Sequence, residues 1–329
     1  MLALICGCEG QRLLDRERRF FRDAQPWGLI LFGRNVADPE QVRALCADFR
    51  DAVGRADAPV LIDQEGGRVR RLRPPHWPAY PAAARLAEAG PEAATLAGRL
   101  IADDLRAVGV TIDCAPVLDV RAPGGHDVIG DRAFGAEPDT VATLGRAFAD
   151  GLRAGGVMPI VKHMPGHGRA GVDSHHHLPV VDASREVLER VDFAPFRRLA
   201  DLPAAMTAHV VYTALDPERP ATTSPEIVST VIRGFIGFAG LLFSDDLSMN
   251  ALRGSLGERA AAARTAGCDI LLHCNGVAAE AEAVAAEAAP LDDAVAAKVA
   301  AATRWVGPPD DFDRRHALER LDAALAPVS

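Results

Sequence analysis

The 329-residue chain lacks a repeated Cys-x-x-Cys pair, an excess of positive charge and an apolar run long enough to cross a bilayer. Each absence removes a class. The six cysteines (Cys6, Cys8, Cys46, Cys114, Cys268, Cys274) are scattered among expected strands and helices and have no zinc-ribbon or thioredoxin spacing. They read as reduced, buried thiols of a cytosolic protein. A net charge of −9 argues against a nucleic-acid partner, which needs a basic face to displace counterions. The opening Met1-Leu2-Ala3-Leu4-Ile5-Cys6 has no positive start, is short, and runs almost at once into Glu9, so it reads as a first strand rather than a secretory signal. No other stretch approaches the roughly 20 apolar residues that a membrane span requires. There is also no linker, composition break or internal repeat. With 49% hydrophobic and 25% charged residues, the expectation is a soluble cytoplasmic protein with no nucleic-acid or membrane partner.

What the chain does have is an alternation of short apolar runs with longer amphipathic segments. Strands are expected at Leu2–Cys6, Gly28–Phe32, Pro59–Asp63, Val110–Pro116, Val157–His163, Ala204–Val210, Leu241–Asp245 and Asp269–Cys274. Helices are expected at Ala82–Ala107, Asp139–Ala154, Ser184–Leu199, Ser255–Ala266 and Val277–Glu287. Two more open at Asp38-Pro39-Glu40 and Ser224-Pro225-Glu226, where a cap, a first-turn proline and an acid coincide. An Ala-rich helical tail from about Asp292 is expected to cover the barrel. The fold class is therefore α/β: a single (β/α)₈ TIM-type barrel spanning 1–329. A barrel is preferred over an open sheet because Asp63, Lys162-His163, His209 and Asp245 all fall at strand C-terminal ends, where barrel enzymes keep their chemistry.

The richest stretch is Lys162-His163-Met164-Pro165-Gly166-His167-Gly168, followed by Asp173-Ser174-His175. A carboxylate two residues from an imidazole can orient it as a general acid/base near neutral pH. The run Gly166-x-Gly168-x-x-Gly171 matches a dinucleotide fingerprint formally, but no helix pattern follows it, so that reading fails. Five histidines between His163 and His177 admit a metal-dependent barrel hydrolase as an alternative. Such enzymes open with His-x-His after strand one, where this chain has Gly7-Cys8-Glu9; no metal or other cofactor is expected. His176 and His177 receive no role. In Leu241-Leu242-Phe243-Ser244-Asp245-Asp246 a strand ends in two carboxylates. Asp245 suits a nucleophile that attacks an anomeric carbon, while Asp246, on the opposite side of the pleat, suits a cap. Asp63, at the start of a Gly-rich loop, suits sugar hydroxyls, and Arg132, in Gly130-Asp131-Arg132-Ala133-Phe134-Gly135, suits hydroxyl or carboxylate recognition.

Five segments in order resemble the β-N-acetylhexosaminidases of glycoside hydrolase family 3: Asp63-Gln64-Glu65-Gly66-Gly67-Arg68-Val69, Asp113-Cys114-Ala115-Pro116-Val117-Leu118-Asp119, Ile129–Gly135, Lys162–Gly168 with Asp173-Ser174-His175, and Phe243–Met249. They run from about Gly28 to Asn275. The resemblance implies a retaining exo-β-N-acetylglucosaminidase with Asp245 as nucleophile and His175, assisted by Asp173, as acid/base. It implies that Asp63, Arg132, Lys162 and His163 hold the sugar and that Asp113 and His209 line the site. It looks like the single-barrel type that acts on anhydro-muropeptides in peptidoglycan recycling, so the expected partner is a small glycan or muropeptide. Alternatives are a related β-glycosidase, a phosphorylase of the same family that uses a neutral His175, and a non-catalytic sugar-binding barrel. The departures from the family pattern are Pro159 inside a strand and the added bulk of His176 and His177.

Overall fold

The computed structural model describes residues 1–174 and 177–326. Eight barrel strands run β1 Leu2–Gly7, β2 Pro26–Leu31, β3 Val60–Ile62, β4 Ile112–Asp113, β5 in two pieces (Met158–Pro159 and Val161–Met164), β6 Ala204–Thr207, β7 Leu241–Asp246 and β8 Ile270–His273. All pairings between them are parallel, in the order β5, β4, β3, β2, β1, β8, β7, β6, β5. The sheet therefore begins and ends on the same strand. The first piece of β5 pairs with β4 and the second with β6, so the sheet closes into a barrel without a free edge. Pro159, which has no N–H to donate, sits at the end of the first piece, just before the break at Ile160. The expected (β/α)₈ barrel is thus the observed fold.

Along each strand successive side chains face opposite ways, and both faces are buried. Ile5, Ile30, Leu61, Ile112, Ile160, Phe243 and Leu272 form one cluster inside the barrel. Leu4, Leu29, Leu31, Val60, Ile62, Val161, Leu242 and Leu271 belong to the outer cluster beneath the helices. This alternation positions the site: two residues beyond Leu61 lies Asp63, two beyond Ile160 lies Lys162, and two beyond Phe243 lies Asp245. The interior rows of hydrocarbon end in charge at the C-terminal mouth.

Among the helices, α1 (Asp15–Ala24) was not expected. Seven of its ten residues are charged, and only Glu17 and Phe21 are buried. Helix α2 (Pro39–Val53) starts where Asp38 accepts the Glu40 and Gln41 amides. The expected helix Ala82–Ala107 is two, α3 (Ala83–Ala89) and α4 (Pro91–Ala107), broken at Gly90 with φ 92°. Helix α5 (Pro138–Ala154) packs on α4. The expected Ser184–Leu199 helix is also two pieces, α6 (Arg185–Arg190) and α7 (Ala194–Arg198), separated where Asp192 turns inward to Arg169. A wide-turned helix Ile227–Phe235 follows Ser224, and then come α8 (Leu256–Ala266) and α9 (Ala278–Glu287). The tail forms α10 (Asp293–Thr303) and α11 (Arg314–Leu325). Val295, Val299 and Trp305 of the tail pack on the interior cluster, and Lys298 pairs with Asp269 at the start of β8. Helix α10 therefore closes the N-terminal end of the barrel. Among the described residues no helix is long and apolar enough to cross a membrane.

Candidate active site

At the C-terminal mouth lies a cavity of about 280 Å³, just under the roughly 300–1,000 Å³ usual for drug-sized ligands. Its floor includes Ile30, Met206 and Leu272 of the interior cluster; its wall carries Asp63, Glu65, Arg71, Arg132, Lys162, His163 and Asp245. Asp173 and Ser174 contribute from the loop after β5.

One wall is an alternating lattice of charge. Lys162 Nζ lies 2.8 Å from Asp63 Oδ1 and 2.7 Å from Glu65 Oε1. Arg71 reaches Asp63 Oδ2 at 2.9 Å, and Arg132 grips Glu65 with two bonds of 2.8 Å. Burial pushes both carboxyls upward, but the cations outweigh it. Lys162 and Arg71 hold Asp63 well below the usual carboxylate range; Arg132 and Lys162 bring Glu65 down to about 2. Burial likewise opposes the charge of Lys162, and Asp63 with Glu65 more than restores it. The lattice stays fully ionised at neutral pH and presents both donors and acceptors to a polyhydroxylated ligand.

Asp245 faces this wall. Its Oδ1 accepts the Asp246 N–H at 2.8 Å, and its own N–H donates to Thr207 Oγ1 at 3.3 Å. Burial raises its affinity for a proton, but His209, His163, the Asp246 amide and Lys162 together hold its pKa below the ordinary value. Asp246 borders the cavity too, yet its carboxylate is taken by Ser248 N–H, Ser248 Oγ and Cys274 N–H. It caps the turn after β7, as alternation along the strand implies.

A second buried carboxylate organises the histidines. Asp119 Oδ2 lies 2.7 Å from His163 Nδ1, and Asp119 Oδ1 accepts the N–H groups of His163 and His167 at 3.2 and 2.6 Å. An ionised Asp119 fixes the His163 proton on Nδ1 and leaves Nε2 as the other functional nitrogen. Burial works against that ionisation; His163 and His167 overcome it. His167 is buried enough to be pushed down to about 4 and is neutral, with Nε2 3.4 Å from Ser174 Oγ.

The structure thus brings Asp245, Asp63, Arg132, Lys162, His163 and Asp173 to one cavity. His175 and His176 lie outside the described residues. Asp113 and His209, expected on the cavity wall, stand behind it. Asp113 falls between Ile112 and Cys114, whose side chains fill the barrel interior, so its own points the other way. His209 has both ring nitrogens engaged, Nδ1 with Thr222 Oγ1 at 2.7 Å and Nε2 donating to the Asp246 carbonyl at 2.9 Å. Sequence reasoning gave no role to Glu65, Arg71, Asp119 or His167. Glu65 carried a signal, since it lies two residues beyond Asp63. Asp119 and Arg71 reach the site through loops, where spacing carries no direction.

Comparison with known proteins agrees with this geometry. The glycosyl hydrolase family 3 N-terminal domain matches residues 10–305. A β-hexosaminidase of Alkalilimnicola ehrlichii is 42% identical over 337 residues, covering 99% of this chain and 95% of its own. The family 3 β-N-acetylglucosaminidase of Paenibacillus sp. superposes with a TM-score of 0.89 at 31% identity, over 98% of this chain and 67% of its own. NagZ of Neisseria gonorrhoeae, in complex with N-trifluoroacetyl-D-glucosamine, gives 0.84 at 32% identity over 98% and 96%. A closed parallel barrel ending in Asp63, Lys162 and Asp245, with relatives of this identity over nearly its whole length, leaves one assignment: the chain belongs to glycosyl hydrolase family 3, among its β-N-acetylhexosaminidases.

Proposed function

We propose that the chain removes terminal β-linked N-acetylglucosamine with retention of configuration through a covalent bond to Asp245. The observation that carries this is an ionised carboxylate at the end of β7, inside a cavity of about one sugar's size and opposite a lattice of hydroxyl-binding charge. With Oδ1 held by the Asp246 amide, Oδ2 is the attacking oxygen. It bonds to the anomeric carbon as the bond to the aglycone oxygen breaks, and His175 supplies the proton that the leaving oxygen takes. In the second step His175 takes a proton from water, whose oxygen displaces Asp245 from the same carbon. Asp173 orients His175. Asp63, Arg132, Lys162 and His163 hold the ring; Glu65 and Arg71 join them.

The substrate is a small glycan, with anhydro-muropeptides of cytoplasmic peptidoglycan recycling as the natural source. This reading is supported by NagZ among the structural neighbours and by the glucosamine derivative in its complex. The test uses 4-nitrophenyl N-acetyl-β-D-glucosaminide. The parent releases nitrophenol; Asp245→Asn loses on the order of 10⁴ or more in kcat yet still binds N-acetylglucosamine. Mass spectrometry of quenched parent enzyme is expected to find the sugar on the peptide containing Asp245. Nitrophenol release without such an adduct in any slow-turnover substrate, and with Asp245→Asn active, removes the covalent mechanism.

A further inference from the structure

Asp113 is fully buried but lies outside the cavity and takes no part in the chemistry above. Its Oδ1 accepts the Gln64 N–H at 2.9 Å, while Oδ2 has no hydrogen-bond partner among the described residues. Gln64 is the middle of Asp63-Gln64-Glu65. Its buried side chain accepts the Arg71 and Leu72 amides on Oε1 at 2.8 and 3.0 Å and donates Nε2 to the Leu72 carbonyl at 3.0 Å. A single backbone amide therefore ties Asp113 to the turn that carries Asp63 and Glu65 and, through Gln64, to Arg71.

The charged groups around Asp113 are Asp63 and Glu65 beyond β3 and Lys162 on β5; the neighbouring Cys114 thiol stays protonated through burial. Two carboxylates already share the Lys162 ammonium. A third negative charge at Asp113 would compete for that cation where burial of both groups leaves little screening by solvent. Burial first, with Asp63 and Glu65 adding to it, lifts the Asp113 carboxyl to about 8 against the pull of the Gln64 amide and Lys162. At pH 7 it is a neutral acid.

We propose that Asp113 is a positioning residue that works only while protonated: it props the Asp63-Gln64-Glu65 turn, and its ionisation draws Lys162 away and loosens the sugar site. The proposal rests on Asp63, Glu65 and Lys162 holding the sugar, and not on which residues are nucleophile and acid/base.

The readout is the dissociation constant of N-acetyl-D-glucosamine, measured by calorimetry from pH 6 to 9.5 on the intact chain. For the parent, binding is expected to be flat to about pH 7.5 and then to weaken, approaching about tenfold per unit above the transition. Asp113→Asn keeps the acceptor for Gln64 but cannot ionise. It is expected to bind within about threefold of the parent at pH 6.5 and to stay flat to 9.5. A flat parent profile overturns the proposal, as does the same alkaline loss in Asp113→Asn. An asparagine variant that unfolds at the parental temperature yet binds at no pH overturns it too, because the charge would then be what binding needs. Infrared difference spectra of the parent between pH 6.5 and 9.5 give a reading that no folding defect can mask: loss of a protonated carboxyl band supports the proposal, and its absence overturns it. A chain that binds with the expected profile but releases no nitrophenol removes the hydrolytic mechanism and leaves the role of Asp113 standing.

Discussion

At the scale of single residues, the site depends on carboxylates that differ only in their neighbours. Asp63, Glu65, Asp119 and Asp245 are held ionised by cations, imidazoles and amides; Asp113, bonded to the Gln64 amide between Asp63 and Glu65, is not. Asp119→Asn tests this arrangement, since an amide nitrogen would now meet an N–H donor on one side or the other. Losing a charge-assisted hydrogen bond costs about 1.5–3 kcal/mol. KM is therefore expected to rise about 10- to 100-fold with a smaller change in kcat, read from steady-state kinetics at pH 7. Stability follows a different sign at Asp113. Its folded pKa, about 8 against the ordinary 3.8, means that the native state keeps a proton which the unfolded chain gives up. The native state is penalised progressively as pH rises from about 4 to about 8. Asp113→Asn escapes that penalty, so its melting temperature is expected to gain on the parent's across this window; a constant offset would contradict the assignment. Asp245 and Asp63 were legible because a polar residue at the end of a hydrophobic run has few structural uses. The neutral state of Asp113 was not, since it depends on carboxylates that only folding brings close.

At the scale of elements, strands were easier to read than helices. All eight barrel strands stand where apolar runs occur, because burial on both faces removes any ambiguity of period. The breaks at Gly90 and at Asp192 do carry a signal, since Pro91 and Pro195 each sit in the first turn of the helix that follows; the helical pattern that continues on both sides masks it. Helices α4 and α5 show how closely the outer ring is fitted. A Cβ on Gly98 would lie 2.3 Å from the Phe148 carbonyl oxygen, and one on Gly151 would lie 2.2 Å from that of Thr95. The two backbones meet through paired glycines, and these helices lead into β4 and β5, which carry Asp113 and Lys162. Gly151→Ala must push the helices apart and is expected to cost about 1–3 kcal/mol. Thermal unfolding should register this as a lower melting temperature, while KM at a temperature where the variant is folded should stay near the parental value.

At the scale of the whole molecule, closure through the divided β5 and the seal by α10 leave the cavity as a recess in an otherwise filled cylinder. The lattice that lines the cavity carries its own cations in Lys162, Arg71 and Arg132. Activity on the nitrophenyl glycoside is accordingly expected to survive prolonged incubation with chelator within about twofold; a loss restored by a divalent ion would return the metal-dependent reading. The start of β1 and the segment that leads into α10 meet at the sealed end, since Leu291 N–H donates to the Met1 carbonyl. A shaft sealed at its base also governs traffic. Whatever sits deepest must leave last, so under the proposed function the sugar would wait for its aglycone to depart, and no longer chain could be threaded past it. On the function proposed above, a polymer would lose one terminal unit per visit and have to be met again for the next.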